Sequence, residues 1–375
     1  MNPITKLHSL GQSIWYDNIE RLLLTGGDLA AMIARGEIRG VTSNPSIFNN
    51  AISKSSDYDD ALIPLAQQGL TKEEIYEALA VEDIRAACDL FGPIYGATGG
   101  GDGFVSLEVS PYLADDTEAT CTEAARLWKL VGRPNLMIKI PATRAGLPAI
   151  AQSIAAGINV NVTLIFSIAR YIEVMDTYLS GLEQRLAAGK PIDHVASVAS
   201  FFVSRIDTNA DARLQVIADA IDAGGELAER AAALQGKIAV ASAKLAYARH
   251  KDIFSGNRWT QLKERGGHIQ RPLWASTSTK NPAYPDTKYV DELIGPDTIN
   301  TIPPKTLTAF GDHGSAELTL GADVDAAQAA MDELAAVGIS ITEVTQELED
   351  QGVKSFADAF TALLDSVEKR WELVL

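Results

Sequence analysis

The chain has 375 residues, 46% of them hydrophobic and 22% charged, which suits a globular protein with a core large enough for one big α/β barrel or two domains. Its formal net charge of −17 at pH 7 opposes binding to phosphodiester backbones and anionic lipid. Nucleic acid and membrane surfaces are therefore excluded as partners, and an anionic ligand would have to be met by a local group of Lys and Arg.

The opening "MNPITKLHSLGQSIWYDNIERLL" carries charge throughout and no long apolar run. Neither a signal peptide nor a membrane span is expected there, and a cytoplasmic location is the simplest expectation. Within it "SIWYD" (13–17) reads as a strand ending at Asp17, which shares a face with Ser13 and Trp15. "GVTSN" (40–44) reads as a second, with Thr42 and Asn44 on one face. A helix follows at "TKEEIYEALAVEDIRAACDLF" (71–91), opened by a Thr71–Glu74 capping box. The glycine-rich "GATGGGDG" (96–103) lacks a Gly-Lys-Ser/Thr ending and precedes a strand, so a flexible loop is expected instead of a phosphate cradle.

In "FVSLEVS" (104–110), Val105, Leu107 and Val109 alternate with Ser106, Glu108 and Ser110. In "LMIKIP" (136–141), Lys139 shares a face with Met137 while Leu136, Ile138 and Ile140 take the other. Both faces are dry, and a lysine there is costly to bury unless it is neutralised, paired or used. "VNVTLIFS" (160–167) sets Asn161 and Thr163 against Val160, Val162 and Leu164. Further strands are expected at "VASVASFFV" (195–203), "RPLWASTS" (271–278) and "TINTIPP" (298–304), and a long helical pattern at 210–250. The end of the chain, through "DVDAAQAAMDELAAVGI" to "SFADAFTALLDSVEKRWELVL", reads as two or more amphipathic helices lying outside the sheet or reaching over its mouth.

Eight strands alternating with helices imply a parallel sheet covered on both faces. An open doubly wound sheet would give the same alternation. Polar residues gather on one face toward the C-terminal ends of five strands, where barrel enzymes build their sites, and this favours a (β/α)8 TIM barrel with additional C-terminal helices. The expected organisation is a single domain, 1–375, with residues 315–375 a helical extension packed on the barrel.

A buried lysine with a lowered pKa can attack a ketone as neutral amine, and the resulting imine draws electrons from the neighbouring carbon–carbon bond. Such chemistry needs proton carriers, and Glu108 and Asp17 are the carboxylates on the right strand faces. A buried ion pair is the rival account of each of these charges. The five histidines (His8, His194, His250, His268, His313) and the two cysteines (Cys88, Cys121) have no metal-ligand spacing, so no metal or other cofactor is expected. Arg205 in "SFFVSRID" and Lys280 in "STSTKNP" follow strand ends and are candidate phosphate-binding cations.

These motifs resemble the transaldolase family. "GVTSNPSIF" is similar to its Thr-x-Asn-Pro segment, "VSLEVSPYLA" to its glutamate strand, "LMIKIPAT" to its Schiff-base lysine strand, "GINVNVTLIFS" to its Asn-x-Thr strand and "ASFFVSRID" to its Ser-Phe-x-x-Arg strand. The resemblance implies transfer of a dihydroxyacetone unit from sedoheptulose 7-phosphate or fructose 6-phosphate to glyceraldehyde 3-phosphate or erythrose 4-phosphate, in the pentose phosphate pathway. It implies Lys139 as the imine-forming residue, Glu108 as its proton shuttle through a water, and Asp17 as the acid/base for cleavage. Asn44 and Asn161 would hold the dihydroxyacetone hydroxyls, Thr163 the water, Ser200 and Phe202 the sugar and Arg205 the phosphate, with Thr42, Ser276 and Lys280 completing the substrate-binding set. "ASTSTKNP" departs from the Ala-Ser-x-Arg segment of shorter members, with Lys280 in place of arginine after one extra residue. The alternatives are a fructose 6-phosphate aldolase-like enzyme that releases dihydroxyacetone, and a non-catalytic sugar-phosphate-binding barrel. Sugar phosphates are the expected small-molecule partners, and the expected state is a monomer or homodimer.

Overall fold

The computed structural model describes residues 2–220 and 225–374. Among these residues seven strands run parallel in one sheet: β1 (Gln12–Tyr16), β2 (Val105–Glu108), β3 (Leu136–Pro141), β4 (Val160–Ile165), β5 (Ser197–Phe202), β6 (Arg271–Ala275) and β7 (Thr298–Ile302). Their order is β1-β7-β6-β5-β4-β3-β2. Strands β3, β4 and β5 are buried along their whole length, which is why they read as near-continuous apolar runs.

The strand expected at 40–44 is reduced to one residue. Val41 makes parallel bridges to Tyr16 of β1 and to Val105 of β2, so it joins the two edges of the curled sheet. Two features keep it short. Gly40 lies so close to Trp15 that a Cβ there would stand 2.8 Å from the indole ring, and Pro45 begins a helix (Pro45–Lys54) four residues after Val41. Asn44 caps that helix, its Oδ1 accepting from the Ile47 amide at 3.0 Å, so the chain leaves the sheet as soon as it has crossed it.

The 71–91 helix forms with its capping box and runs on to Ala97. The 210–250 pattern is divided among three helices, Ser204–Ala218, Glu226–Leu234 and Ile238–Ile253. The glycine-rich loop has a structural task that its composition hides. It delivers Asp102, 4% exposed, to the N-terminal end of the sheet, where the carboxylate accepts from Trp15 Nε1 at 2.9 Å and from Ser13 Oγ and meets Arg271 at 3.2 Å. That end of the sheet is closed by an ion cluster, which leaves the C-terminal end for a ligand.

At the C-terminus, helix Val324–Ala336 packs on Ile238–Ile253, and the 34-residue helix Ile341–Val374 packs on Pro45–Lys54 and Lys72–Ala97. At 1.5 Å per residue it is about 50 Å long, enough to span the mouth of the sheet. Among the described residues no helix is long and apolar enough to cross a membrane. Ion pairs hold the long helix at both ends: Arg213–Glu347 (2.6 Å) on one side, Lys72–Glu368 (2.9 Å) and Arg370–Asp59 (2.5 Å) on the other. The first two pairs, more open to solvent, contribute at most about 1 kcal/mol each, while Arg370 meets Asp59 through two parallel hydrogen bonds in a partly buried setting. The apolar middle holds it more firmly: Phe360 stacks edge-on against Tyr76 and Tyr112, and Leu363, Leu364 and Val367 are buried.

Candidate active site

Strand register places the central residues side by side. Glu108 of β2 pairs with Lys139 of β3, and Lys139 pairs with Asn161 of β4. Lys139 is 6% exposed; its Nζ donates to the Ser43 carbonyl at 2.7 Å and lies 3.6 Å from Glu108 Oε2. The second distance is an ion pair too long for a direct hydrogen bond. Burial pushes the Glu108 carboxyl up to about 7, against the pull of the Lys139 ammonium, and the Asp17 charge adds to the rise.

Asp17 follows β1. Its Oδ1 accepts from Thr42 Oγ1 at 2.7 Å, and Thr42 also meets Thr301 at the end of β7. Burial raises the Asp17 carboxyl above its ordinary range, opposed by the Thr42 hydrogen bond and by the Lys139 and Lys280 charges. Two carboxyls with raised pKa values therefore flank one lysine, an arrangement suited to proton transfer near neutral pH.

Asn161 is held on both sides: its Nδ2 donates to Ser106 Oγ at 3.1 Å and its Oδ1 accepts from Ser200 Oγ at 2.7 Å. Thr163 Oγ1 and Glu108 Oε2 are buried without a hydrogen-bond partner among the described residues. Buried polar atoms are rarely left so, and those that are stand out as places for a ligand or a water. Just beyond Thr163, β4 is irregular. The register shifts between Val162 and Ile165, and Leu164 adopts φ +58°, a costly conformation for a branched side chain. Ser276, after β6, is likewise left-handed at φ +55° and shares a 3.1 Å contact with Ser204. Strain at the ends of two strands coincides with the site.

These side chains open on a cavity of about 280 Å³ at the C-terminal ends of the strands. It is lined by Asp17, Thr42, Asn44, Lys139, Asn161, Thr163, Ser200, Phe202, Arg205, Ser276 and Lys280. Glu108 is the one residue expected at the site that does not line it; it stands beside Lys139 on the neighbouring strand. At the rim Arg205 and Lys280 both have lowered pKa values, chiefly from burial, and Lys280 also feels the Arg205 charge. Two cations held near each other at the edge of a cavity suit a phosphate. Among the described residues no three His, Cys, Asp or Glu side chains are gathered to hold a metal ion.

Several lining residues lay beyond the sequence reading. Thr301 could have been found, because "TINTIPP" carries a threonine one residue from the C-terminal end of its strand, much as "VNVTLIFS" carries Thr163. Ser355, Phe356 and Ala359 could not, because they come from the C-terminal helix, and nothing local in "VKSFADAF" tells that it crosses the mouth.

The model of the transaldolase/fructose-6-phosphate aldolase family matches residues 14–367. The chain belongs to that family. It is an enzyme of the same kind as relatives named transaldolase over nearly their full length. It is 50% identical over 370 residues to the transaldolase of Thermobifida fusca, covering 98% of each chain. It is 50% identical over 365 residues to transaldolase 1 of Streptomyces avermitilis, covering 97% of this chain and 94% of that one. It is 45% identical over 375 residues to the transaldolase of Trichodesmium erythraeum, covering 98% and 97%. The family match runs through both the sheet and the long C-terminal helix.

Proposed function

We propose that the chain catalyses the transaldolase reaction, moving a dihydroxyacetone unit from sedoheptulose 7-phosphate or fructose 6-phosphate to glyceraldehyde 3-phosphate or erythrose 4-phosphate through an imine on Lys139. What supports the reading, beyond the family, is one observation: a lysine buried in a sheet, 3.6 Å from a carboxyl near neutrality, faces the same cavity as a second carboxyl and two rim cations.

In this reading Lys139 attacks the ketose C2, and the carbinolamine loses water to give the imine. Glu108 gives and takes the protons of those steps through a water shared with Thr163; the 3.6 Å gap and the unpartnered oxygens of both residues support that role. Asp17 takes the proton of the C4 hydroxyl. The C3–C4 electron pair then moves into the imine, the aldehyde departs, and the three-carbon unit remains as an enamine on Lys139 until an acceptor reverses the sequence. Asn161, held by Ser106 and Ser200, and Asn44, whose Oδ1 is engaged as a helix cap, would present amide donors to the hydroxyls of that unit. Arg205, Lys280 and Ser276 would take the phosphate, with Ser200 and Phe202 against the sugar.

The fold that goes with this reading is a single-domain (β/α)8 barrel in which the Val41 segment holds the eighth strand position and residues 315–375 form its helical extension. Sugar phosphates do not cross a bilayer unaided, so a cytoplasmic location belongs to the same proposal. Borohydride reduction in the presence of fructose 6-phosphate should leave a covalent adduct at Lys139, found by peptide mass spectrometry. Absence of the adduct, or full activity in Lys139→Ala, would overturn the mechanism. Release of dihydroxyacetone at full rate without erythrose 4-phosphate would make the enzyme an aldolase of the same family instead.

A further inference from the structure

Among the described residues Phe356 is the one aromatic side chain that the C-terminal helix brings into the cavity, and its ring centroid lies 5.8 Å from Lys139 Nζ. It comes from the mouth side. Its helix crosses the end of β4 at Gly352, where a Cβ would stand 3.1 Å from Leu164 Cδ2 and 3.5 Å from the Phe166 ring. One helical turn further on, Phe360 is locked between Tyr76 and Tyr112, so the ring of Phe356 is held from both sides along the helix. The 5.8 Å separation leaves room for a small planar group between ring and amine.

We propose that Phe356 is a selectivity-determining residue whose ring shields the three-carbon unit on Lys139 from solvent, so that the unit awaits an aldehyde acceptor instead of being released. The proposal rests on the imine reading of Lys139. After C3–C4 cleavage the enamine carbon C3 has two fates. In transfer it attacks the acceptor aldehyde, a new C–C bond forms, the C2–N iminium is restored, and the acceptor oxygen takes the proton held by Asp17. In release, C3 takes a proton from water instead; the iminium is again restored, water adds at C2, the C2–N bond breaks, and free dihydroxyacetone leaves with the amine regenerated. Hydrolysis at C2 is common to both fates and belongs to the Glu108–Thr163 side of the lysine. Protonation of C3 separates them, and an apolar ring over that carbon keeps bulk water from delivering the proton. The ring face also favours the cationic iminium over water as its neighbour.

The test is the ratio of free dihydroxyacetone to transferred product, with fructose 6-phosphate as donor and saturating erythrose 4-phosphate as acceptor. The ratio is taken per turnover and does not depend on how much of a variant is folded. Phe356→Ala should raise it on the order of tenfold by opening the site to water, and Phe356→Leu, which keeps an apolar cover, should stay near the parent value. The borohydride adduct at Lys139 should form in all three proteins. An unchanged ratio in Phe356→Ala with the adduct present overturns the proposal, and so does a rise in Phe356→Leu equal to that in Phe356→Ala. Absence of the adduct from the parent protein is a separate outcome that overturns the imine reading itself and this proposal with it.

Discussion

Glu108 Oε2 and Lys139 Nζ stand 3.6 Å apart at paired positions of adjacent parallel strands, each side chain 8% exposed. The pairing is a consequence of register. A slip by one residue in either strand would turn its side chain to the helix-covered face, so the same hydrophobic alternation that packs Leu107 and Ile138 outward fixes the two charges inward. The pair is also incomplete as a stabilising contact. Lys139 spends its short hydrogen bond on the Ser43 carbonyl, and Glu108 is left with a carboxyl near neutrality.

That carboxyl makes stability depend on pH in a direction opposite to the usual surface carboxylate. It titrates at about 7 in the folded protein against an ordinary 4.5. Between those values the folded state holds a proton that the unfolded state has lost, so unfolding free energy falls as pH rises, and the loss is complete above pH 7. Glu108→Gln removes this slope. The variant should gain on the parent by up to about 3 kcal/mol between pH 4.5 and pH 8, at roughly 1.4 kcal/mol per pH unit. Urea unfolding at the two pH values measures it; a difference between variant and parent that does not change with pH would sink the assignment.

Asp17→Asn should separate bond cleavage from imine formation. The amide keeps the size of the side chain and can still meet Thr42, but it cannot take the C4 hydroxyl proton. Transfer should slow by about 10²–10⁴-fold, the range for losing a general base, while borohydride still traps fructose 6-phosphate on Lys139. Loss of trapping in step with turnover would assign Asp17 to imine formation.

What the sequence made legible follows from the range of its signals. Strand alternation is local, so Lys139, Glu108, Asn161 and Thr163 are readable as one inward face from the sequence alone, whereas Ser200 enters only through the resemblance of "ASFFVSRID" to the family's Ser-Phe-x-x-Arg strand. Thr42 and Asn44 were found for a partly mistaken reason: the segment that carries them is a single bridging residue and a helix cap, yet both side chains still enter the cavity. Phe356 was not readable because docking of an amphipathic helix on a distant surface leaves no trace in its own periodicity. Asp102 was hidden in a run of glycines whose composition speaks for a loose loop, although its partners Ser13, Trp15 and Arg271 come from two strands remote in the chain.

The rim cations should act on binding more than on chemistry. Arg205 offers a planar fork and is the more deeply set of the two, whereas Lys280 is a point charge, the more exposed of the pair though still partly desolvated, whose Nζ already donates to Ser278 at 2.6 Å. Arg205→Ala should raise KM for fructose 6-phosphate by about 10–100-fold, the scale of one or two charge-assisted hydrogen bonds, and Lys280→Ala by less. Neither should much affect kcat for unphosphorylated fructose. Steady-state kinetics with both sugars decide it, and equal losses on the two would remove the phosphate assignment.

Leu164 sets two effects of opposite sign against each other. Its φ of +58° costs about 1–2 kcal/mol, which glycine would recover. Its side chain, 2% exposed, packs on Gly352 where the C-terminal helix crosses β4. Removing a buried leucine costs about 3–5 kcal/mol, and a glycine in place of alanine adds up to about 1 kcal/mol of backbone entropy. Packing outweighs strain, so Leu164→Gly should lose roughly 2–4 kcal/mol in urea unfolding. Because the lost contact lies where the helix crosses β4, hydrogen exchange should rise in the helix around Gly352 ahead of the sheet. A variant as stable as the parent, with the helix still protected, would mean that the long helix rests on its end pairs and on the Phe360 stack alone.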